Sequence, residues 1–354
     1  MKIVAIRSYI KKMALTKPYT IAYNTFSDVR LVFLEIELAN GMIGYGSASP
    51  AEDVVGETTE QSFANLSSEF IQEFVGRDIR QFRQLIYEIK QKFPHLPGTL
   101  AAFDIATHDA FGKLLGIAIV DLYGRKIKSL PTSVTIGIKN VQETLEDAAD
   151  YFKLGFKVLK VKTGLSVEED IERIARLSES YQRRMTIRVD ANQGYTQTDL
   201  QRFLQATNKF GIELIEQPLP VGKENELLQL PYETRQFLAA DESLKDPEAA
   251  LKLAVGERSF GIYNIKLMKC GGILEALDIA NIAYHGKIDL FWGCNDESRI
   301  SITAALHAAY SCVHTKYIDL DGSFDLAEDL LNGGFELKDG HLEISNQPGL
   351  GLTQ

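Results

Sequence analysis

VLKVK (158–162), MTIRVD (185–190), IELIEQP (212–218), FLAADES (237–243) and YNIKLMK (263–269) are five short apolar runs, and each carries a charged residue near its end: Lys162, Asp190, Glu216, Asp241 and Lys266. Charged groups suited to carbon-acid chemistry at successive strand ends point to a barrel with its chemistry on one rim. The acids follow one another at about 25 residues, the length of a strand, a helix and two loops in a parallel β/α repeat. Between the runs, SVEEDIERIARLSESYQ (166–182), TQTDLQRFLQATNKFG (196–211) and PEAALKLAVGE (247–257) set apolar residues three and four apart, and several open on Ser, Thr or Asp caps. TSVTIGI (132–138) comes before these runs, and IDLFWG (288–293) and YIDLD (317–321) come after them, which makes eight strand candidates. Eight parallel strands close a barrel.

In a ring of eight, Lys162 on the second strand lies opposite Lys266 on the sixth, so two amines face each other across one mouth. Asp190, Glu216 and Asp241 end the third, fourth and fifth strands on the arc between them, while Asp319 and Asp321 end the eighth on the other arc. Three carboxylates on adjacent strand ends repel unless a cation joins them, and all-oxygen ligation with open positions suits Mg²⁺ or a similarly hard ion. An ordinary lysine, with a pKa of about 10.4, is protonated at neutral pH, so a lysine base needs a depressed value. Lys160 shares a strand face with Lys162, and its like charge, with a nearby metal, disfavours the ammonium form of Lys162.

The 354 residues are 45% hydrophobic and 24% charged, enough for a large core in one big and one smaller domain. A formal net charge of −10 gives no attractive field for nucleic acid or an anionic membrane. Three cysteines without framework spacing (Cys270, Cys294, Cys312) fit a reducing compartment. The opening MKIVAIRSYIKKMAL is broken by Arg7, Lys11 and Lys12, which reads as neither signal peptide nor membrane span, and a cytoplasmic protein is expected.

Residues 1–125 read as an α+β unit: strands in MKIVAIRSYI and VRLVFLEIELANGMIGYGSA, with a hairpin signal at Asn40-Gly41, then helical stretches ending in the Ala-rich TLAAFDIATHDAFGKLLG. The stretches 15–27 and 47–59 read as loops, either plain connections or lids over the barrel mouth. The tail 325–354, with a hairpin signal at Asp339-Gly340, completes this cap, and 126–324 form the barrel. Gly271-Gly272 reads as a loop-to-helix turn or, less often in such a position, a phosphate cradle. His108, His307 and His314 read as core or interface residues, since no zinc spacing appears.

Lys160-Val161-Lys162, Asp190 in VDANQGY, Glu216 in IEQPL, Asp241 in ADES, Lys266 in NIKLMKCGGI and Asp319-Leu320-Asp321 resemble the motifs of the enolase superfamily, muconate-lactonizing subgroup, and within it the dipeptide epimerases. The resemblance covers essentially the whole chain. It implies a modified TIM barrel, (β/α)7β, under an α+β capping domain. It further implies one Mg²⁺ per subunit on Asp190, Glu216 and Asp241, with Lys162 and Lys266 as the two acid/base catalysts supported by Lys160. Asp319 and Asp321 would grip the α-ammonium of a dipeptide, and Thr135 would lie near it. A homo-oligomer is the expected assembly.

Epimerases acting on Ala-Glu carry an arginine in the first capping loop, where this chain has Asn24 in Ala22-Tyr23-Asn24-Thr25. Together with Tyr23, Ile21 and Phe26, this leads to the expectation of a small or apolar C-terminal side chain, of Ala-Ala or Ala-Val type. Asp296, after the seventh strand, is either an exposed loop acid or a partner for a basic N-terminal residue. The alternatives are an L-Ala-D/L-Glu epimerase, a cycloisomerase or o-succinylbenzoate synthase, an N-acylamino acid racemase and a non-catalytic peptide-binding protein. The carboxylate substrates of the synthase type lack the ammonium that Asp319 and Asp321 call for.

Overall fold

The computed structural model describes residues 1–21, 24–181 and 184–354, and the side chains of residues 17–26 fall outside that description. The chain opens with a three-stranded antiparallel sheet, Ile3–Ile21, Asn24–Leu38 and Ile43–Ala48. Asn40-Gly41 makes the second turn: Gly41 takes φ 82° and Asn40 Oδ1 accepts from Met42 N at 3.2 Å. The first two strands pair from Ile3↔Leu38 to Ile21↔Asn24. The stretch 15–27, expected as a loop, is therefore mostly strand. Its Thr, Tyr, Ile and Phe residues favour extended backbone, and Pro18 falls in the irregular part of an edge strand, between Ala14 and Tyr19.

The helix Pro97–Leu115 buries almost its whole length and packs against the strand Ile43–Ala48. Two glycines make that approach possible: a Cβ on Gly46 would stand 1.9 Å from the Ala102 carbonyl oxygen, and one on Gly44 would stand 2.2 Å from that of Ala106.

The eight barrel strands are Ser133–Ile136, Val158–Lys162, Thr186–Asp190, Ile215–Glu216, Leu238–Ala240, Ile262–Ile265, Asp289–Trp292 and Thr315–Ile318. They lie in chain order in one sheet with parallel neighbours, and a parallel bridge Thr132↔Ile318 brings the last strand beside the first. Helices return the chain between them. Val167–Tyr181 turns Ile174, Leu177 and Tyr181 inward with Val167 and Asp170, the three- and four-residue spacing of an amphipathic helix. The helix Gln197–Thr207 starts on a capping box of Thr196 and Asp199, and Pro247–Ala254 starts on Asp246.

The tail makes a hairpin, Phe335–Lys338 with His341–Ile344, through Asp339-Gly340, and it pairs with Ser129–Pro131 where the chain enters the barrel. Further on, Leu350 N donates to Asp109 Oδ1 at 2.8 Å, which ties the tail to the long cap helix. Among the described residues no helix is long and apolar enough to cross a membrane.

Candidate active site

Lys162 and Asp190 are register partners on the second and third strands, and Lys162 Nζ lies 2.7 Å from Asp190 Oδ2 and 2.8 Å from Asn192 Oδ1. On the far side of the ring, Lys266 directly follows the sixth strand, with its Nζ 2.8 Å from Asp241 Oδ2. Both tips thus reach inward to one group of acids. Lys160 sits deeper, its side chain 4% exposed against 30% for Lys162. Its Nζ is 3.0 Å from Asp190 Oδ2, 2.9 Å from Glu216 Oε2 and 2.8 Å from Asp319 Oδ2.

Charge and burial oppose each other throughout this group. Burial works against the Lys160 ammonium, but Asp190, Asp319 and Glu216 outweigh it and hold its pKa well above the lysine range. Lys160 is therefore a fixed cation. Lys266 is also raised, since Asp241 and Glu216 overcome the effect of burial. Burial and the charge of Asp190 push Glu216 up to about 8, whereas Asp241, resisting burial, is held well below the carboxylate range by Lys266 and Lys269.

Among the described residues the acids do not converge on a finished metal cage, because ammonium nitrogens stand between them. The chemistry of the donor set nevertheless fits a hard divalent ion. Asp190, Glu216 and Asp241 are buried, purely oxygen donors at neighbouring strand ends. Glu216 Oε2 lies 2.9 Å from Lys160 Nζ but makes no hydrogen bond.

On the other arc, Asp319 accepts from Ser133 Oγ at 2.6 Å and from Lys160 at 2.8 Å. Asp321 accepts from the backbone N of Thr135 at 2.8 Å, and its Oδ1 is 3.9 Å from Cys294 Sγ. Burial, with Asp319 and Asp325 as neighbours, raises the pKa of Asp321 well above the usual range. Asp325 is pushed to about 7 by burial and by Asp296 and Asp319.

The stretch 47–59 lies on the barrel mouth. Ser49 N donates to Met268 Sδ at 3.2 Å, Ser49 Oγ to the Asp296 carbonyl at 2.7 Å, and Asn295 Nδ2 to the Ser49 carbonyl at 3.0 Å. The first cap strand comes down beside the segment that follows the eighth strand, where Thr16 N donates to the Asp325 carbonyl at 2.7 Å. Tyr23 lies outside the described residues, and so does the Asn24 side chain.

The phosphate reading of Gly271-Gly272 does not survive. The helix Ile273–Gly286 behind it already has a carboxylate at its start, since Asp104 Oδ1 accepts from Ile273 N at 2.8 Å and Oδ2 from Leu274 N at 3.2 Å. His307 is buried in the helix Arg299–Ser311, whereas His314 lies beyond its end. Sequence reasoning passed over Asn264 and Lys269. They stand in the same run as Lys266, but only the helical turn Leu267–Cys270 swings Lys269 back onto Asp241.

Residues 5–124 match the mandelate racemase / muconate lactonizing enzyme N-terminal domain, and residues 143–354 match the enolase C-terminal domain-like family. The chain belongs to this branch of the enolase superfamily. It is 50% identical over 354 residues, 100% of both chains, to the L-Lys-D/L-Arg epimerase of Desulforapulum autotrophicum. It is 34% identical over 359 residues, again 100% of both, to the hydrophobic dipeptide epimerase of Enterococcus faecalis. The crystal structure of the dipeptide epimerase from Methylococcus capsulatus, complexed with Mg and the dipeptide L-Arg-D-Lys, aligns with a TM-score of 0.98 at 48% identity, covering 100% of both chains. The protein is an isomerase of the dipeptide epimerase class, with Mg²⁺ as its cofactor.

The expectation from this sequence is a small or apolar C-terminal side chain, whereas the relative at half identity is an L-Lys-D/L-Arg epimerase. The lack of an arginine at position 24 disfavours an acidic substrate side chain, but it does not separate neutral side chains from cationic ones.

Proposed function

We propose that the protein inverts the α-carbon of the C-terminal residue of dipeptides bearing cationic side chains, of the Lys-Arg type, by a two-base proton transfer. The observation that carries the reading is the opposed pair Lys162 and Lys266, each within 2.8 Å of one shared group of carboxylates. One amine removes the α-proton from one face and the opposite ammonium returns a proton to the other. Asp190, Glu216 and Asp241 would hold Mg²⁺, which when bound would supply the positive charge that anchors a substrate carboxylate and stabilises the charge built as the α-proton leaves. Lys160 adds a permanent positive charge beneath the reacting carbon. Asp321 receives the substrate ammonium. Asp319, already engaged by Ser133 and Lys160, contributes mainly its field.

The cationic preference rests on the far wall of the mouth. Asp325 has no ammonium or guanidinium partner among the described residues, and Asp296 and Asp321 crowd it with like charge. A basic N-terminal side chain relieves that crowding. With Mg²⁺ in D₂O, α-proton exchange followed by NMR is expected to be faster for L-Lys-L-Arg than for L-Ala-L-Ala or L-Ala-L-Glu. Asp325→Asn should lower kcat/KM for the cationic dipeptide by roughly tenfold, the size of one charge-assisted contact, and leave L-Ala-L-Ala unchanged. Equal turnover of all three dipeptides by the unaltered enzyme would sink the cationic reading.

A further inference from the structure

We infer that Asn264 and Lys269 form a positioning pair that sorts the oxygens of Glu216 and Asp241, holding one oxygen of each carboxylate back and presenting the other to the reaction centre. The inference rests on reading Glu216 and Asp241 as metal donors. Asn264 Nδ2 donates to Glu216 Oε1 at 2.6 Å, while Glu216 Oε2 is left without a hydrogen bond, 2.9 Å from Lys160 in the group of lysines and acids. Lys269 Nζ donates to Asp241 Oδ1, while Asp241 Oδ2 faces Lys266 at 2.8 Å. Asp190 follows the same rule with a backbone donor: Asn192 N holds Oδ1 at 3.0 Å, and Oδ2 faces Lys162.

Lys269 and Asn264 act as one bracket. Besides Asp241 Oδ1, the ammonium donates to the Asp241 carbonyl at 2.5 Å and to the Asn264 carbonyl at 3.1 Å, so its three donors are used. Both residues are buried, 5% exposed for Lys269 and 0% for Asn264. A buried ammonium desolvated for cohesion alone is a poor stabiliser, since an apolar side chain of similar volume serves as well or better. The bracket fixes orientation instead. It also has room made for it, since a Cβ on Gly293 would meet Asn264 Oδ1 at 2.7 Å. Asn264 Oδ1 itself has no partner, so the amide sits here for its donor side.

The test is metal affinity, not activity. Mg²⁺ titration calorimetry and Mn²⁺ electron paramagnetic resonance are applied to the full-length protein and to Lys269→Met, Asn264→Ala and Asp241→Asn, with thermal unfolding measured on each. We expect Lys269→Met and Asn264→Ala each to weaken metal binding about tenfold to a hundredfold, the usual effect of losing a partner that orients a ligand. Asn264→Ala removes only a neutral donor and keeps the test open if Lys269→Met fails to fold. Unchanged or tighter metal binding in folded Asn264→Ala, with a shift in thermal stability alone, overturns the pair. If Asp241→Asn binds Mg²⁺ as the unaltered protein does, the donor reading itself fails, and this inference with it. Loss of binding in Asp241→Asn alone, with both bracket variants normal, rejects the bracket and leaves the donors standing.

Discussion

Lys162 and Lys266 reach inward from opposite sides of the ring, the side chain of Lys162 30% exposed against 11% for Lys266, and their neighbours differ, Asn192 beside one and the Lys269–Asp241 pair behind the other. That asymmetry suits amines serving opposite faces of one carbon. Lys162→Ala and Lys266→Ala are each expected to abolish epimerisation, while each variant still exchanges the α-proton of one stereoisomer in D₂O. Normal inversion by either variant would show that the lysine it lacks is not one of two bases. At this scale the charged residues were legible because each closes a strand run at the β/α period. Lys269 was not legible, because its function depends on a helical turn reversing the direction in which its side chain points, which no letter pattern marks. The bracketing role of Asn264 depends on a contact to Glu216 across 48 residues of sequence separation.

Among the elements, the join between cap sheet and cap helix bears most directly on the mouth, since the strand Ile43–Ala48 leads into the 47–59 stretch anchored on Met268 and Asn295. Gly46→Ala puts a methyl group against the Ala102 carbonyl, and we expect a loss of about 1–3 kcal/mol in urea unfolding, the usual range for an overpacked core. A neutral effect would mean that the helix Pro97–Leu115 moves away freely. The barrel strands and their order could be read from apolar runs of regular spacing. The first cap hairpin could not, because Lys17-Pro18 and Asn24 look like loop chemistry, whereas pairing with the neighbouring strand decides the outcome. The cationic preference we propose was not legible for a related reason: the acids at 296, 321 and 325 come together only once the eighth strand, its loop and the seventh-strand loop are folded.

At the scale of the whole molecule, His307 makes the fold sensitive to acid outside the mouth. His307 is fully buried, its Nδ1 accepts from Val120 N at 2.9 Å, and burial, with Arg125 adding to it, lowers its pKa from 6.5 to about 3. The unfolded chain therefore binds the extra proton between these values, so this contribution is complete above about pH 6.5 and is lost as pH falls toward 3. Urea midpoints measured from pH 7 to pH 4 should drop more steeply for the unaltered protein than for His307→Asn, which keeps an acceptor and cannot be protonated. Identical slopes would place the acid sensitivity elsewhere.

The ring is not sewn evenly. Val158↔Thr186 through Lys162↔Asp190 is a five-residue main-chain ladder, whereas the first and eighth strands meet through the bridge Thr132↔Ile318 and through side chains: Ser133 to Asp319, Thr132 to Leu320 N and Asp321 to Thr135 N. Two of those fasteners are Asp319 and Asp321, the acids at the place we propose for the amino end of the guest. A bound dipeptide should then act as a zip on the weakest joint of the cylinder, slowing amide deuteration of residues 132–136 and 317–321 more than that of 186–190. Peptide-resolved mass spectrometry would read this directly, and equal protection of both regions would show the joint to be as firm empty as filled.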